Sequence, residues 1–303
     1  MTTTAPPTHA HHTRLHLGRS VAVAVRLAAV RASFRVLDAV APARSATRAM
    51  DLWCTVPGNA GRRRDLRPRA GALVRVPVPR GGTVVAEHWG EGPAVYLVHG
   101  WGGWRGQLGA FVTPLVDAGY RVVAFDAPGH GDADASVMGP GRGTVQEMIE
   151  AFAAVGERFG PAHGVVAHSL GCTSAAIVVR EHLPTARLVL VAPNHDFTVY
   201  TRGFASMVGL SERTRLALVR TIEDFCDRAI EDFDLHTLGA DGSMPATLVV
   251  HDTRDKETPH AVGRAVADGW PTARLVLTDG LGHQRILADD GVVALTVEHL
   301  AGR

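Results

Sequence analysis

An apolar run, Gly164 to Ala167, stops at His168-Ser169, and a helical run follows from Cys172 to Arg180. This junction restricts the fold more than any other stretch of the chain. Ala167 and Gly171 stand two positions to either side of the serine. A sharp strand–turn–helix needs small residues there, because larger side chains would collide with the neighbouring backbone. Such a turn strains the serine and lifts its hydroxyl above the sheet edge. It also sets the hydroxyl beside the free N–H groups and positive dipole end of the next helix, where an oxyanion can develop. The first glycine of the usual G-x-S-x-G is Ala167 here. A simpler reading makes Ser169 only an N-cap, a position serine favours. The two readings part on whether the rest of the chain supplies a base, an acid and a second oxyanion donor.

Ala246 to Val250 is an apolar, β-branched run and reads as a buried strand. It leads into His251-Asp252-Thr253-Arg254-Asp255, at the rim where open α/β sheets place their sites. Ala273 to Leu277 is a further strand, followed by Asp279-Gly280-Leu281-Gly282-His283, a glycine-loosened loop with one histidine. The order is Ser169, Asp255, His283. Serine is a poor nucleophile at neutral pH, so an imidazole must take its proton and return it to the leaving group. A carboxylate must fix the imidazole tautomer. Asp252 on the same loop and Asp196 after the preceding strand are rival acids. Asp255 is preferred because His251-x-x-x-Asp255-x-x-x-Pro259 sets it just ahead of a helix starting near Thr258-Pro259.

Ala94 to Val98 is another strand, followed by His99-Gly100-Trp101-Gly102-Gly103-Trp104. A glycine-rich loop at a strand end lets the backbone approach a substrate. The expected oxyanion hole pairs the N–H of Trp101 with that of Leu170. His99, Gly100, Trp104 and His168 are candidates for the substrate pocket, with His99 also expected to bond within its own loop. Trp104 has packing as its alternative role. Arg121 to Phe125 forms a strand ending in Asp126-Ala127-Pro128-Gly129-His130-Gly131, where Asp126 is expected to bond its own turn.

With these residues in order, the chain resembles the α/β-hydrolase-fold family. The resemblance rests on His99-Gly100-Trp101-Gly102-Gly103, Asp126 to Gly131, Ala167-His168-Ser169-Leu170-Gly171, Asp255 and Gly282-His283, and covers about residues 71–302. It implies an α/β fold: a mostly parallel central sheet flanked by helices, with a helical cap. It also implies a serine hydrolase acting on a small-molecule acyl substrate through a Ser169 acyl-enzyme, without metal or other cofactor. The fold hosts other chemistries. The alternatives are a thioesterase, a C–C bond hydrolase, or a non-catalytic binding protein.

The 303 residues suit one catalytic domain with extensions. The expected organisation is a disordered tail (1–18), a basic helical arm and linker (19–70), and a hydrolase domain (71–303) with a helical cap inserted at about 194–245. Within the insertion, helical patterns run near 199–208 and 211–225. The net charge of +1 hides an asymmetry: residues 1–70 hold twelve arginines and three acidic residues, about +9, leaving about −8 for the rest. Arg26, Arg31 and Arg35 break the apolar stretch from Val21 and exclude a membrane span. The arm reads either as a packed extension or as a basic amphipathic helix in peripheral contact with an anionic membrane. Arg62-Arg63-Arg64, Arg67 and Arg69 read as a solvated linker, and no nucleic-acid motif accompanies them. His9, His11 and His12 fall in the tail and are not expected to bind metal. Three scattered cysteines point to a reducing, cytoplasmic compartment. No motif fixes the oligomeric state.

Overall fold

The computed structural model describes residues 10–58, 65–194 and 196–303, with side chains from residue 23 onward. Eight strands form one sheet: β1 (Ala72–Pro77), β2 (Thr83–Trp89), β3 (Ala94–Val98), β4 (Arg121–Asp126), β5 (Ala162–His168), β6 (Thr185–Val191), β7 (Ala246–Asp252) and β8 (Ala273–Thr278). Their order is β1-β2-β4-β3-β5-β6-β7-β8. β1 and β2 run antiparallel, and every pairing from β4 to β8 is parallel. The parallel strands coincide with the apolar runs of the sequence because strands covered on both faces carry continuous hydrophobic stretches. β3 is buried along its whole length. The β1–β2 hairpin escapes that pattern: β1 is an edge strand with Leu73 and most of its residues exposed, so no apolar run marks it.

Alternate residues of the inner strands feed two cores. Val95 and Leu97 pack with Leu108, Phe111, Leu115, Val292 and Leu300, which come from the flanking helical segments Arg105–Phe111, Val112–Asp117 and Asp290–Leu300. Tyr96 turns the other way and meets Phe152 of the helix Val145–Phe159, ring centroids 5.6 Å apart. The chain runs from β3 out to β4 and then returns past β3 to β5. The strand order therefore reverses between β3 and β5, the position at which open α/β sheets form a crevice.

The chain divides into two compact units, residues 1–50 with 200–222 and residues 51–199 with 223–303. The boundary differs from the expected break near residue 70. Gly143 N–H donates to the Cys54 carbonyl, Thr55 bridges Arg142, and Asp51 pairs with Arg142 at 2.8 Å, so residues 51–56 belong with the sheet. In the first unit a helix spans Ala10–Val40 and a second Pro42–Trp53; the ring of Pro42 forbids a continuous helix. Residues 10–18, expected as tail, are helical; residues 1–9 lie outside the described residues, as does Arg62-Arg63-Arg64. Arg67 is a further correction to the solvated linker. It pairs with Asp65 at 2.6 Å and with the buried Glu87 at 2.5 Å, joining Arg105, whose Nε lies 2.8 Å from the same carboxylate, in compensating that buried charge.

The insertion after β6 is helical, with Phe197–Val208, Glu212–Cys226 and two short turns, Ile230–Phe233 and Leu235–Leu238, before β7. Cys54, Cys172 and Cys226 are buried, and among the described residues none forms a disulfide. Among the described residues, no helix is long and apolar enough to cross a membrane.

Candidate active site

Ser169 sits between the end of β5 and the helix Leu170–Glu181, with φ 53° and ψ −127°. An L-residue at positive φ stores about 1–3 kcal/mol of strain. Ser169 occupies the N-cap position of that helix, but its side chain makes no capping hydrogen bond. The backbone is held on both sides: Ser169 N–H donates to the Val191 carbonyl at 3.1 Å, and Cys172 N–H donates to the Ser169 carbonyl at 2.9 Å. The neighbouring glycines explain themselves by distance. A Cβ on Gly171 would stand 2.5 Å from the His99 carbonyl oxygen, and one on Gly100 would stand 2.8 Å from the Ser169 Cβ. The loop after β3 thus lies directly against the serine. Among the described residues, no hydrogen bond occupies the main-chain N–H of Trp101 or Leu170.

The candidate acid and base come from the loops after β7 and β8. These strands pair with Asp252 opposite Thr278, which brings the two loops side by side. His283 Nδ1 donates to Asp255 Oδ2 at 2.6 Å, and both side chains are buried. Asp255 Oδ1 accepts from the N–H groups of Glu257 and Thr258 at 2.8 and 2.9 Å. Burial alone would raise the Asp255 pKa. Hydrogen bonds from His251, His283 and Thr258 outweigh it and hold the carboxyl well below its usual range. Among the described residues, no protein group engages His283 Nε2.

The rival carboxylates have other duties. Asp252 is fully buried. It accepts from the Leu281 and Arg254 N–H groups, each at 2.9 Å, and from the Thr278 hydroxyl at 2.8 Å. Burial opposes ionisation of Asp252, but these donors and Gly282 N–H bring its pKa down to about 2. It pins the loop that carries His283. Asp196 accepts from Val199 N–H at 2.7 Å and caps the helix Phe197–Val208. Asp126 accepts from the N–H groups of Asp132 (2.8 Å) and Arg105 (2.7 Å), and also pairs with the Arg105 guanidinium.

The proposed pocket residues are mostly committed elsewhere. His99 is buried, donates from Nδ1 to the Gly100 carbonyl at 2.8 Å and accepts from Ala127 N–H at Nε2. Burial pushes its pKa down to about 4. His168 Nε2 donates to the His283 carbonyl at 2.9 Å, its ring centroid 4.7 Å from that of His283. Burial, aided by nearby His283, brings its pKa down to about 3, so it stays a neutral prop for the His283 loop. The Trp104 ring is buried, with the Arg67 guanidinium 4.9 Å from its centroid; it packs, which was its alternative role.

His251 escaped the sequence reading. It is fully buried, donates from Nε2 to the Thr258 carbonyl at 3.0 Å and stands 3.4 Å from Asp255 Oδ2. The His251-x-x-x-Asp255 spacing was visible in the sequence, but nothing in it says that both rings converge on one carboxylate. Among the described residues, no group of three or more His, Cys, Asp or Glu is arranged to hold a metal.

Comparison with known proteins agrees with this architecture. Residues 93–289 match the family described as the alpha/beta hydrolase fold. A 2-hydroxy-6-oxo-6-phenylhexa-2,4-dienoate hydrolase of Burkholderia cepacia is 34% identical over 113 residues, 34% of this chain and 37% of that one. An enzyme of the same name from Comamonas testosteroni is 44% identical over 59 residues, 18% of this chain and 21% of that one. The chain thus spans well under half the length of these curated relatives. A thermophilic esterase from Thermogutta terrifontis superimposes with a TM-score of 0.58 at 20% identity, covering 77% of this chain and 99% of that one. A bromoperoxidase from Bacillus anthracis gives 0.57 at 18% identity, covering 77% and 100%. At these identities the likeness is one of fold. With the family matching some two thirds of its residues, the chain belongs to the α/β-hydrolase fold family.

Proposed function

We propose that the protein is a serine hydrolase cleaving an ester or related acyl bond through Ser169, His283 and Asp255. The observation that carries this reading is a strained serine beside a glycine-rich loop, in a chain whose buried Asp255–His283 pair leaves His283 Nε2 without a protein partner among the described residues. His283 Nε2 takes the Ser169 hydroxyl proton as Oγ attacks the substrate carbonyl carbon. Asp255 accepts the Nδ1–H of His283, fixes the tautomer and stabilises the imidazolium. The Trp101 and Leu170 N–H groups hold the oxyanion of the tetrahedral intermediate. Its collapse expels the leaving group, protonated by His283, and leaves an acyl group on Ser169. Water, deprotonated by the same imidazole, then releases the acid.

Cleavage of a carbon–carbon bond is a second reading, favoured by the matched segments of the two dienoate hydrolases. A fluorophosphonate probe tests the nucleophile: it should label the protein and fail to label Ser169→Ala. Absence of labelling would favour a non-catalytic member of the fold. A panel of p-nitrophenyl esters of graded chain length, acyl-CoA thioesters and a 2-hydroxy-6-oxo-dienoate then separates the bond types. Turnover of the dienoate far above that of any ester would replace the ester reading with the second.

A further inference from the structure

The unit made of residues 1–50 and 200–222 holds eleven arginines and two acidic residues, a net charge of about +9. Both acids are already engaged. Asp38 accepts from Ser211 N–H at 2.9 Å and from the Thr214 and Ser45 hydroxyls, while Glu212 pairs with Arg215 at 2.6 Å. The remaining cationic charge has no internal counterweight. The same unit exposes apolar surface. Among the described residues, nine large aliphatic side chains stand out into solvent, and six belong to this unit, including Val25 (62%), Val36 (61%) and Val40 (74%).

The two features share one helix. In Ala10–Val40, Phe34 is buried, with Val30 and Leu37 partly covered beside it. Val25, Ala29, Ala32, Val36 and Val40 recur at spacings of three and four and share the opposite face, all exposed. This stripe runs about 22 Å along the helix axis. Arg26 and Arg35 flank it, about a quarter-turn to either side at 100° per residue. Both are exposed, and among the described residues neither has an ion-pair partner. The helix thus has a second apolar face that the fold does not cover.

We propose that this face docks on an anionic lipid bilayer. Aliphatic side chains enter the acyl boundary, while flanking arginines reach outward to phosphate headgroups. The charge decides between occupants. A second copy packed face to face would set about +9 against +9. A nucleic acid would satisfy the arginines but give the valines nothing apolar to enter. Of these three occupants, the bilayer interface is the one that offers both chemistries.

The test uses the full chain with vesicles of phosphatidylcholine alone, or containing about 30% phosphatidylglycerol, read by co-sedimentation. Binding to the anionic vesicles should exceed that to neutral ones by more than about tenfold and weaken as salt shortens the screening length. Arg26→Glu with Arg35→Glu should cost more than about tenfold in binding. Val25→Asp with Val36→Asp should do the same, with circular dichroism verifying the fold. Equal binding to both vesicle types overturns the proposal. So does retention of binding by the valine variant, which would reduce the surface to charge alone. Concentration-dependent dimerisation that the valine variant abolishes would assign the face to a second copy and also overturn it. Fluorophosphonate labelling of Ser169 serves as the control, because this proposal stands whether or not the protein hydrolyses esters.

Discussion

The two units handle ionisable groups in opposite ways. In the sheet-bearing unit, net charge about −8, the candidate carboxylates and imidazoles are buried and nearly every polar atom around them is committed. Asp252 and Asp255 lie three residues apart and are surrounded by donors. In the helical unit the arginines Arg26 and Arg35 stand in solvent beside uncovered valines. A low-dielectric interior makes a correctly placed hydrogen bond strong and a lost one costly, whereas solvent-exposed charge contributes little to folding. Substitutions in the first region should therefore change turnover or stability sharply. Substitutions in the second should change only what the surface touches.

The largest effect is expected at the nucleophile and base. Ser169→Ala and His283→Ala should each lower kcat by roughly 10³–10⁶-fold, and the double variant should lose little more because the two act as a unit. Steady-state kinetics on an ester check this, and retention of more than a few per cent activity in either variant would break the assignment. Asp255→Asn comes next. An amide cannot stabilise the imidazolium, which in the serine-protease case costs about 10⁴ in kcat. Asp196→Asn should leave kcat nearly unchanged and affect only the cap of its helix. The reverse pattern would move the acid to the start of the insertion.

The buried histidines give a pH signature. His99 and His168 have pKa values of about 4 and about 3, below the ordinary 6.5. The unfolded chain therefore binds protons that the folded one refuses as pH falls below about 6.5, and stability drops by up to about 1.4 kcal/mol per pH unit for each histidine. The loss continues until the folded values are reached. Denaturant unfolding at pH 7, 6 and 5 should show this slope, and His168→Gln should flatten it by up to about 1.4 kcal/mol per pH unit, the share of one histidine. An unchanged slope would mean that His168 is not held neutral.

Asp252→Asn should cost about 2–3 kcal/mol, because the new amide turns a donor toward Arg254 N–H or toward Leu281 N–H and the Thr278 hydroxyl. Its effect on kcat should be about tenfold, through displacement of the His283 loop. Asp252 keeps its low pKa of about 2 through those donors. Its contribution is present above the unfolded carboxyl value and lost as pH falls toward 2, so acid titration of the variant should lack that part of the transition. The smallest effect is the sharpest statement of the contrast between units: Arg26→Glu with Arg35→Glu should leave turnover of a soluble ester within about twofold and stability within about 0.5 kcal/mol.

The sequence by itself determined the elements whose signal is local. Five parallel strands show as apolar runs, the serine turn shows in Ala167 and Gly171, and the order serine, acid, histidine is plain in one dimension. Short-range sterics write these features directly into residue spacing. Only the tertiary structure decided which of three candidate carboxylates meets His283. That choice depends on the β7–β8 register, which sets Asp252 opposite Thr278 and lets Asp255 reach across 28 residues. The tertiary structure also decided that His251 shares the same carboxylate, that Arg67 turns inward to Glu87, and that residues 1–50 form a unit with 200–222. Each of these joins residues far apart in the chain, and the free energy that selects them is the cost of leaving a charge or a polar atom unpaired in a packed interior.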